Sequence, residues 1–161
     1  MEKNSQTYSL GDLIVHRSYG VGQIDSIECR LLNGIEVECF KVKTENGTYW
    51  FPTETIDNPR IHPIASQKHI QQAIEILRST PQDLENDPRQ WKSRIDDVQS
   101  EGDFLAISSL VRDLSALKKK KKLNRTQEQA LKNLEGRLLK EWAASVKIGV
   151  NSIRSLLKTY L

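Results

Sequence analysis

Gly11-Asp12-Leu13-Ile14-Val15-His16-Arg17-Ser18-Tyr19-Gly20-Val21-Gly22-Gln23-Ile24 is the stretch whose reading decides the fold. Leu13, Ile14 and Val15 form a short β-prone run. Tyr19-Gly20-Val21-Gly22 is turn chemistry, and a second β-prone run follows through Ile24 and Ile27. The spacing predicts strand, tight turn, strand. The glycines supply backbone angles closed to other residues, as a small, sharply bent sheet needs at its corners.

Working outward, Asn33-Gly34 and Asn46-Gly47 sit between further apolar runs. Both residues of an Asn-Gly pair tolerate positive φ, so each pair predicts a type I′ hairpin turn. The expected strands are Leu13–His16, Gln23–Leu32, Ile35–Lys43 and Thr48–Pro52. In the third, Ile35, Val37, Cys39 and Lys41 share one face; Glu36, Glu38, Phe40 and Val42 share the other. The apolar side switches near Phe40, which predicts a bulge or a barrel corner. Tyr49 and Phe51 should face one side of the last strand and Trp50 the other. Strands this short and bent predict a small SH3-like or Tudor-like β-barrel. Pro52, Pro59 and Pro63 interrupt any ladder, so residues 53–65 read as a connector.

Beyond Ser66 the period becomes helical. Ile70, Ala73, Ile74 and Leu77 fall on one face, with Ser66 as N-cap. Residues 79–88 are a loop by composition, and Pro88 suits the first turn of a helix running past Trp91. Glu101-Gly102-Asp103 reads as a stop and an N-cap. Ile107, Leu110, Val111, Leu114 and Leu117 then form a stripe ending in Lys118-Lys119-Lys120-Lys121-Lys122, cations at the negative end of a helix dipole. Asn124 or Thr126 caps the next helix, whose buried face is Leu131, Leu134, Leu138 and Trp142. Gly149 precedes a last amphipathic segment, Ile153, Leu156, Leu157 and Tyr160. The predicted fold class is α+β: a β-barrel over residues 1–65, then a compact all-α bundle over residues 66–161.

Charge divides in the same way. Residues 1–65 hold 6 Lys+Arg against 9 Asp+Glu, and residues 66–161 hold 18 against 12. An acidic half suits a protein surface and a basic half suits nucleic acid. No apolar run approaches the roughly 20 residues that span a membrane. Met1-Glu2-Lys3-Asn4-Ser5-Gln6 lacks the apolar region of a signal peptide, so a cytoplasmic protein with no membrane partner is expected. Cys29 and Cys39 lack CxxC spacing and read as reduced thiols.

Catalytic signatures are missing. His16, His62 and His69 have no HExxH spacing, and no serine sits in a G-x-S-x-G elbow. Gly20-x-Gly22 is followed by Asp25 where a dinucleotide loop places a third glycine. Asp96-Asp97 and the Asp83 and Glu85 pair read as solvated charges. A non-enzyme with no cofactor and no metal is expected.

Arg89-Gln90-Trp91-Lys92-Ser93-Arg94 places a tryptophan among cations. Trp91 either packs into the bundle or stacks on an exposed base while Arg89, Lys92 and Arg94 pair with phosphates. The lysine run, with Lys120, Lys121 and Lys122 beside Arg125, is either a solvated helix end or a source of salt-sensitive, sequence-independent DNA affinity. Trp50-Phe51-Pro52 is either core or a protein-docking anchor. A Tudor-like cage for a cationic side chain would have to come from Tyr19, Tyr49, Trp50 and Phe51.

These residues resemble the CarD/CdnL family of bacterial RNA polymerase-binding transcription regulators over nearly the whole chain. Gly11-Asp12-x-x-Val15-x-x-x-x-Gly20 resembles the family's opening strand and turn. Ile27-Glu28-Cys29-Arg30 and Phe51-Pro52 fall at its later strands, and Trp91-Lys92-Ser93-Arg94 resembles its tryptophan-plus-basic segment. Gly102-Asp103, Leu110-Val111-Arg112-Asp113-Leu114 and Leu123-Asn124 match its following helices. The opening motif is shared with the polymerase-interacting module of the transcription-repair coupling factor.

The resemblance implies a Tudor-like module docking on the polymerase β subunit, with Arg30, Trp50, Phe51 and Pro52 as contacts. It implies a helical domain on promoter DNA, at the minor groove and phosphate backbone, through Arg89, Trp91, Lys92, Arg94, Lys120, Lys121, Lys122 and Arg125. Trp91 would wedge at the upstream edge of the melted bubble and stabilise the open complex. Localisation would then be cytoplasmic, nucleoid-associated through the polymerase. Two departures stand out: the family often carries arginine where Trp50 stands, and Asp96-Asp97 thins the basic segment after Trp91. The competing reading is a non-enzymatic adaptor whose helical half only scaffolds.

Overall fold

A computed structural model describes residues 8–54, 58–84, 87–101 and 103–161. The polar N-terminus, part of the connector, Glu85, the Glu101 side chain and the Gly102 stop lie outside what it describes. The chain divides between Ile64 and Ala65 into two units.

The first unit contains β1 (Leu13–His16), β2 (Gly20–Leu32), β3 (Ile35–Thr44), β4 (Gly47–Pro52) and β5 (Ile61–Pro63). They form one antiparallel sheet in the order β4-β3-β2-β1-β5. The sheet is open, with β4 and β5 as its edges, and this corrects the expected closed barrel. Pro52 and Pro63 sit at those edges, and a proline has no N–H with which to close a ladder. β5 itself falls inside the expected connector. It pairs Ile14 with Pro63 and His16 with Ile61, because an edge strand tolerates proline.

The opening stretch folds as strand, turn, strand, but the turn is Arg17-Ser18-Tyr19 and the glycines already belong to β2. The His16 Nδ1 accepts the backbone N–H groups of Ser18 (2.9 Å) and Tyr19 (3.2 Å) and so satisfies the turn. Gly20 takes φ 77°, the position such a loop reserves for glycine. Gly22 is needed for space. A Cβ there would lie 2.7 Å from Thr44 Cγ2 and 2.8 Å from Val42 Cγ1.

Asn33 (φ 51°) and Gly34 (φ 79°) form the expected type I′ turn. Asn46-Gly47 does not. The turn there is Glu45-Asn46, and the Thr44 hydroxyl holds it by accepting Asn46 N–H (3.1 Å) and donating to Gly47 O (2.8 Å). The bulge lies in β2 between Ile24 and Ser26, not in β3 near Phe40. The pattern switches at Phe40 because Cys39 and Phe40 are both buried on opposite faces. The core is Ile14, Ile24, Phe40, Val42, Tyr49, Phe51 and Ile61.

The second unit holds α1 (Gln67–Arg78), α2 (Pro88–Glu101), α3 (Phe104–Lys120), α4 (Arg125–Val146) and α5 (Val150–Tyr160). Ser66 caps α1 in a reciprocal box with His69, and Asp103 caps α3 through Leu105 and Ala106 N–H. Asn124, not Thr126, caps α4, with Gln127 returning the bond. The apolar stripes named above meet in one core. Tyr160 packs partly buried at its margin, and Leu156 is exposed.

Candidate functional site

Alternation along the strands brings one cluster to the outer face of the sheet. Trp50 lies opposite Lys41, which lies opposite Ser26; Glu28 and Arg30 follow on the same side of β2. The Arg30 guanidinium carbon stands 3.9 Å from the centroid of the Trp50 ring, a cation–π stack. The Trp50 indole N–H donates to Glu28 Oε2 at 3.0 Å, and Lys41 Nζ is 3.3 Å from Glu28 Oε1. The indole bond and then the lysine hold the Glu28 carboxyl below its ordinary range. The indole is thus fixed at both its face and its edge.

Pro52 is half-buried on the same outer side, opposite Cys39. Phe51 is not part of this surface. It is 4% exposed, packed against Phe40 and Tyr8 in the core, because its side chain points to the other face. The same parity excludes an aromatic cage: Tyr49 stacks on Tyr19 in the inner cluster, away from Trp50.

The helical unit presents its cations unevenly. Arg89, Lys92, Lys118, Lys119, Lys120, Lys121, Lys122 and Arg125 are exposed. The lysine run borders a groove of about 850 Å³ between α3, α4 and α5, where Lys132 and Arg154 join it. Lys120 also pairs with Asp83 at 3.5 Å.

Trp91 and Arg94 are placed otherwise than a DNA wedge and its phosphate partner require. Trp91 is 1% exposed within the core. It and Lys92 line a cleft of about 140 Å³ against Asn124, Thr126 and Gln127 at the start of α4. Arg94 is bonded to Asp113 and to Ser109 Oγ (3.1 Å). Asp113 is 1% exposed and also accepts from Arg112 Nε (2.8 Å) and Gln82 N–H (2.8 Å). A buried carboxylate needs such partners, and Arg94 is committed to that need.

Glu28, Lys41 and Asp113 were not among the predicted site residues. Glu28 comes beside Trp50 only with both turns in place: the one at Asn33-Gly34 sets Glu28 opposite Cys39, and the one at Glu45-Asn46, which the sequence reading places one residue later, sets Trp50 opposite Lys41. Asp113 follows Leu110 by three residues on the apolar stripe of α3, an anomaly that signals a buried ion pair.

Residues 8–65 match the family described as CarD-like/TRCF RID domain, and residues 72–158 match CarD, C-terminal domain. The chain belongs to the CarD family. A Bacillus subtilis (strain 168) protein named "Putative transcription factor YdeB" is 26% identical over 151 residues, covering 92% of this chain and 98% of that protein. The CarD-like match spans all five strands and so includes Arg30 and Trp50. The CarD C-terminal match includes Arg89, Lys92, the lysine run and Arg125. Among the described residues no helix is long and apolar enough to cross a membrane.

Proposed function

We propose that this CarD-family chain regulates transcription without catalysis, docking its β unit on the RNA polymerase β subunit and its helical unit on promoter DNA. The observation that carries the reading is the Arg30–Trp50–Glu28 cluster on the outer face of a unit matched to the TRCF RID, beside the open strand β4. An amphipathic aromatic held rigid at a sheet edge is the form of a docking anchor. The exposed cations of the helical unit support contact with phosphates, a salt-sensitive attraction that carries little sequence information of its own.

Burial of Trp91 shifts the DNA role from a wedge to the cations around it. The same burial, with the Arg94–Asp113 pair, favours the second reading, an adaptor whose helical half scaffolds. Open-complex lifetime separates the two. Added chain should prolong the life of a polymerase–promoter complex, and replacing Lys118 through Lys122 with glutamine should abolish the gain. A full effect from the glutamine variant would favour the adaptor.

A further inference from the structure

The groove beside the lysine run has a lining that a phosphate contact alone leaves unused. Its volume is about 850 Å³, within the roughly 300–1,000 Å³ of small-ligand sites. Three helices and a loop supply its cations: Lys118 to Lys120 end α3, Lys121 and Lys122 follow, Lys132 stands on α4 and Arg154 on α5. Seven cations thus face two carboxylates, Glu128 and Glu135. A cleft with so large an excess of one sign concentrates anions, above all those carrying several charges.

Beneath the cations lies an apolar floor. Leu123, Leu131 and Leu139 belong to the helical core, yet each also lines the groove. Gly136 lines it too, three residues before Leu139 on the same face of α4. Glycine weakens a helix interior, so a glycine there calls for a reason. Its φ is not positive, and a Cβ would meet no atom of the described residues within 4 Å. Neither backbone angle nor packing within the chain accounts for it. Its effect is to widen the groove and to open the α4 backbone to an occupant.

The carboxylates narrow the choice of occupant. An ionised carboxylate only accepts hydrogen bonds, and it repels phosphate. The ligand must therefore bring N–H or O–H donors as well as negative charge. An apolar floor asks in addition for a body that gains by leaving water. Several phosphates joined to a flat base and a hydroxylated sugar meet all three demands.

We propose that this groove is a binding site for a nucleoside polyphosphate. The base lies on the leucine floor beside Gly136, and Glu135 accepts from its amino group or from the sugar hydroxyls. The phosphates meet the lysine run, Lys132 and Arg154. The inference goes beyond the proposed function and does not rest on it, although ligand and DNA would share the lysines.

Isothermal titration of the full chain at physiological ionic strength tests it. Adenosine triphosphate is the probe, and inorganic tripolyphosphate, which has the phosphates without base or sugar, is the control. Adenosine triphosphate should bind saturably, one per chain, and about tenfold or more tighter than tripolyphosphate. Gly136→Leu fills the groove and removes no charge. Leucine is a better helix former than glycine, so α4 should be kept, and circular dichroism checks this. The variant should bind adenosine triphosphate about tenfold or more weakly than the wild type. No saturable binding by the wild type would overturn the proposal. So would equal affinity for tripolyphosphate, or an unchanged affinity in the folded variant. Retention of DNA reports on the other reading, since it depends on lysine charge, which Gly136→Leu keeps. A chain that binds adenosine triphosphate as stated and retains no DNA would support the groove and contradict the DNA contact alone.

Discussion

Trp50 and Trp91 show how position decides what an indole does. Trp50 projects from the outer face of a sheet, stacked under Arg30 with its N–H on Glu28. Trp91 closes the core between α2 and the start of α4. Trp91→Ala should therefore cost the helical unit about 3–5 kcal/mol, the usual cost of emptying a buried aromatic site. Denaturant unfolding followed by the helical circular dichroism signal measures it, and a loss under about 1 kcal/mol would contradict the burial.

Glu141 is the other residue with a measurable consequence. Its carboxylate accepts Ala65 N–H at 2.9 Å, and Ser145 Oγ donates to Ala65 O. Burial pushes its pKa from 4.5 up to about 7 against the pull of that hydrogen bond. The folded state then binds more protons than the unfolded state between those two values, so stability falls as pH rises through the window. The loss across it is roughly 3 kcal/mol. Unfolding of the helical signal at pH values below and above the window should show the decline. Glu141→Gln, which does not titrate, should flatten it.

At the scale of elements, most of the fold was legible because it follows from periodicity and caps. Ile70, Ala73 and Leu77 lie buried with Ser66 capping, and the α3 and α4 stripes fall where their spacing puts them. The departures have physical causes. Residues 61–63 have too little sequence for a period and contain Pro63, yet β1 supplies a partner no local signal reveals. Barrel closure depends on two distant edges finding donors, and Pro52 and Pro63 withhold them. The outward placement of Trp50 was legible by parity, and the burial of Trp91 and the pairing of Arg94 were not. A cation beside a tryptophan reads the same whether its counterion is a phosphate or a buried aspartate on another helix.

Gly22 joins the opening stretch to β3. Its φ is ordinary, and what it lacks is room: Val42, Lys43 and Thr44 crowd the position. Gly22→Ala must push β3 away from β2 and should destabilise the β unit by about 1–3 kcal/mol, as overpacking does. The near-ultraviolet signal of the Tyr19–Tyr49–His16 cluster reports that loss. Gly20→Ala also destabilises, through its positive φ rather than through contact.

For the whole molecule, an acidic β unit and a basic helical unit lie in one chain, and each family match falls on one of them. The division fits the proposed function, in which one unit meets the polymerase and the other its template. Under the proposed function, salt should weaken the contact made by the basic unit, while the contact made by the β unit should depend on the packing of a single indole.

The measurement to make is binding of the full chain to a bacterial RNA polymerase β-lobe fragment, beside a folded Trp50→Ala variant. Micromolar binding, weakened about tenfold or more by the substitution, a change of at least about 1.4 kcal/mol, is the predicted result. No binding by the wild type, or equal binding by the variant, would contradict the assignment of this face to the polymerase.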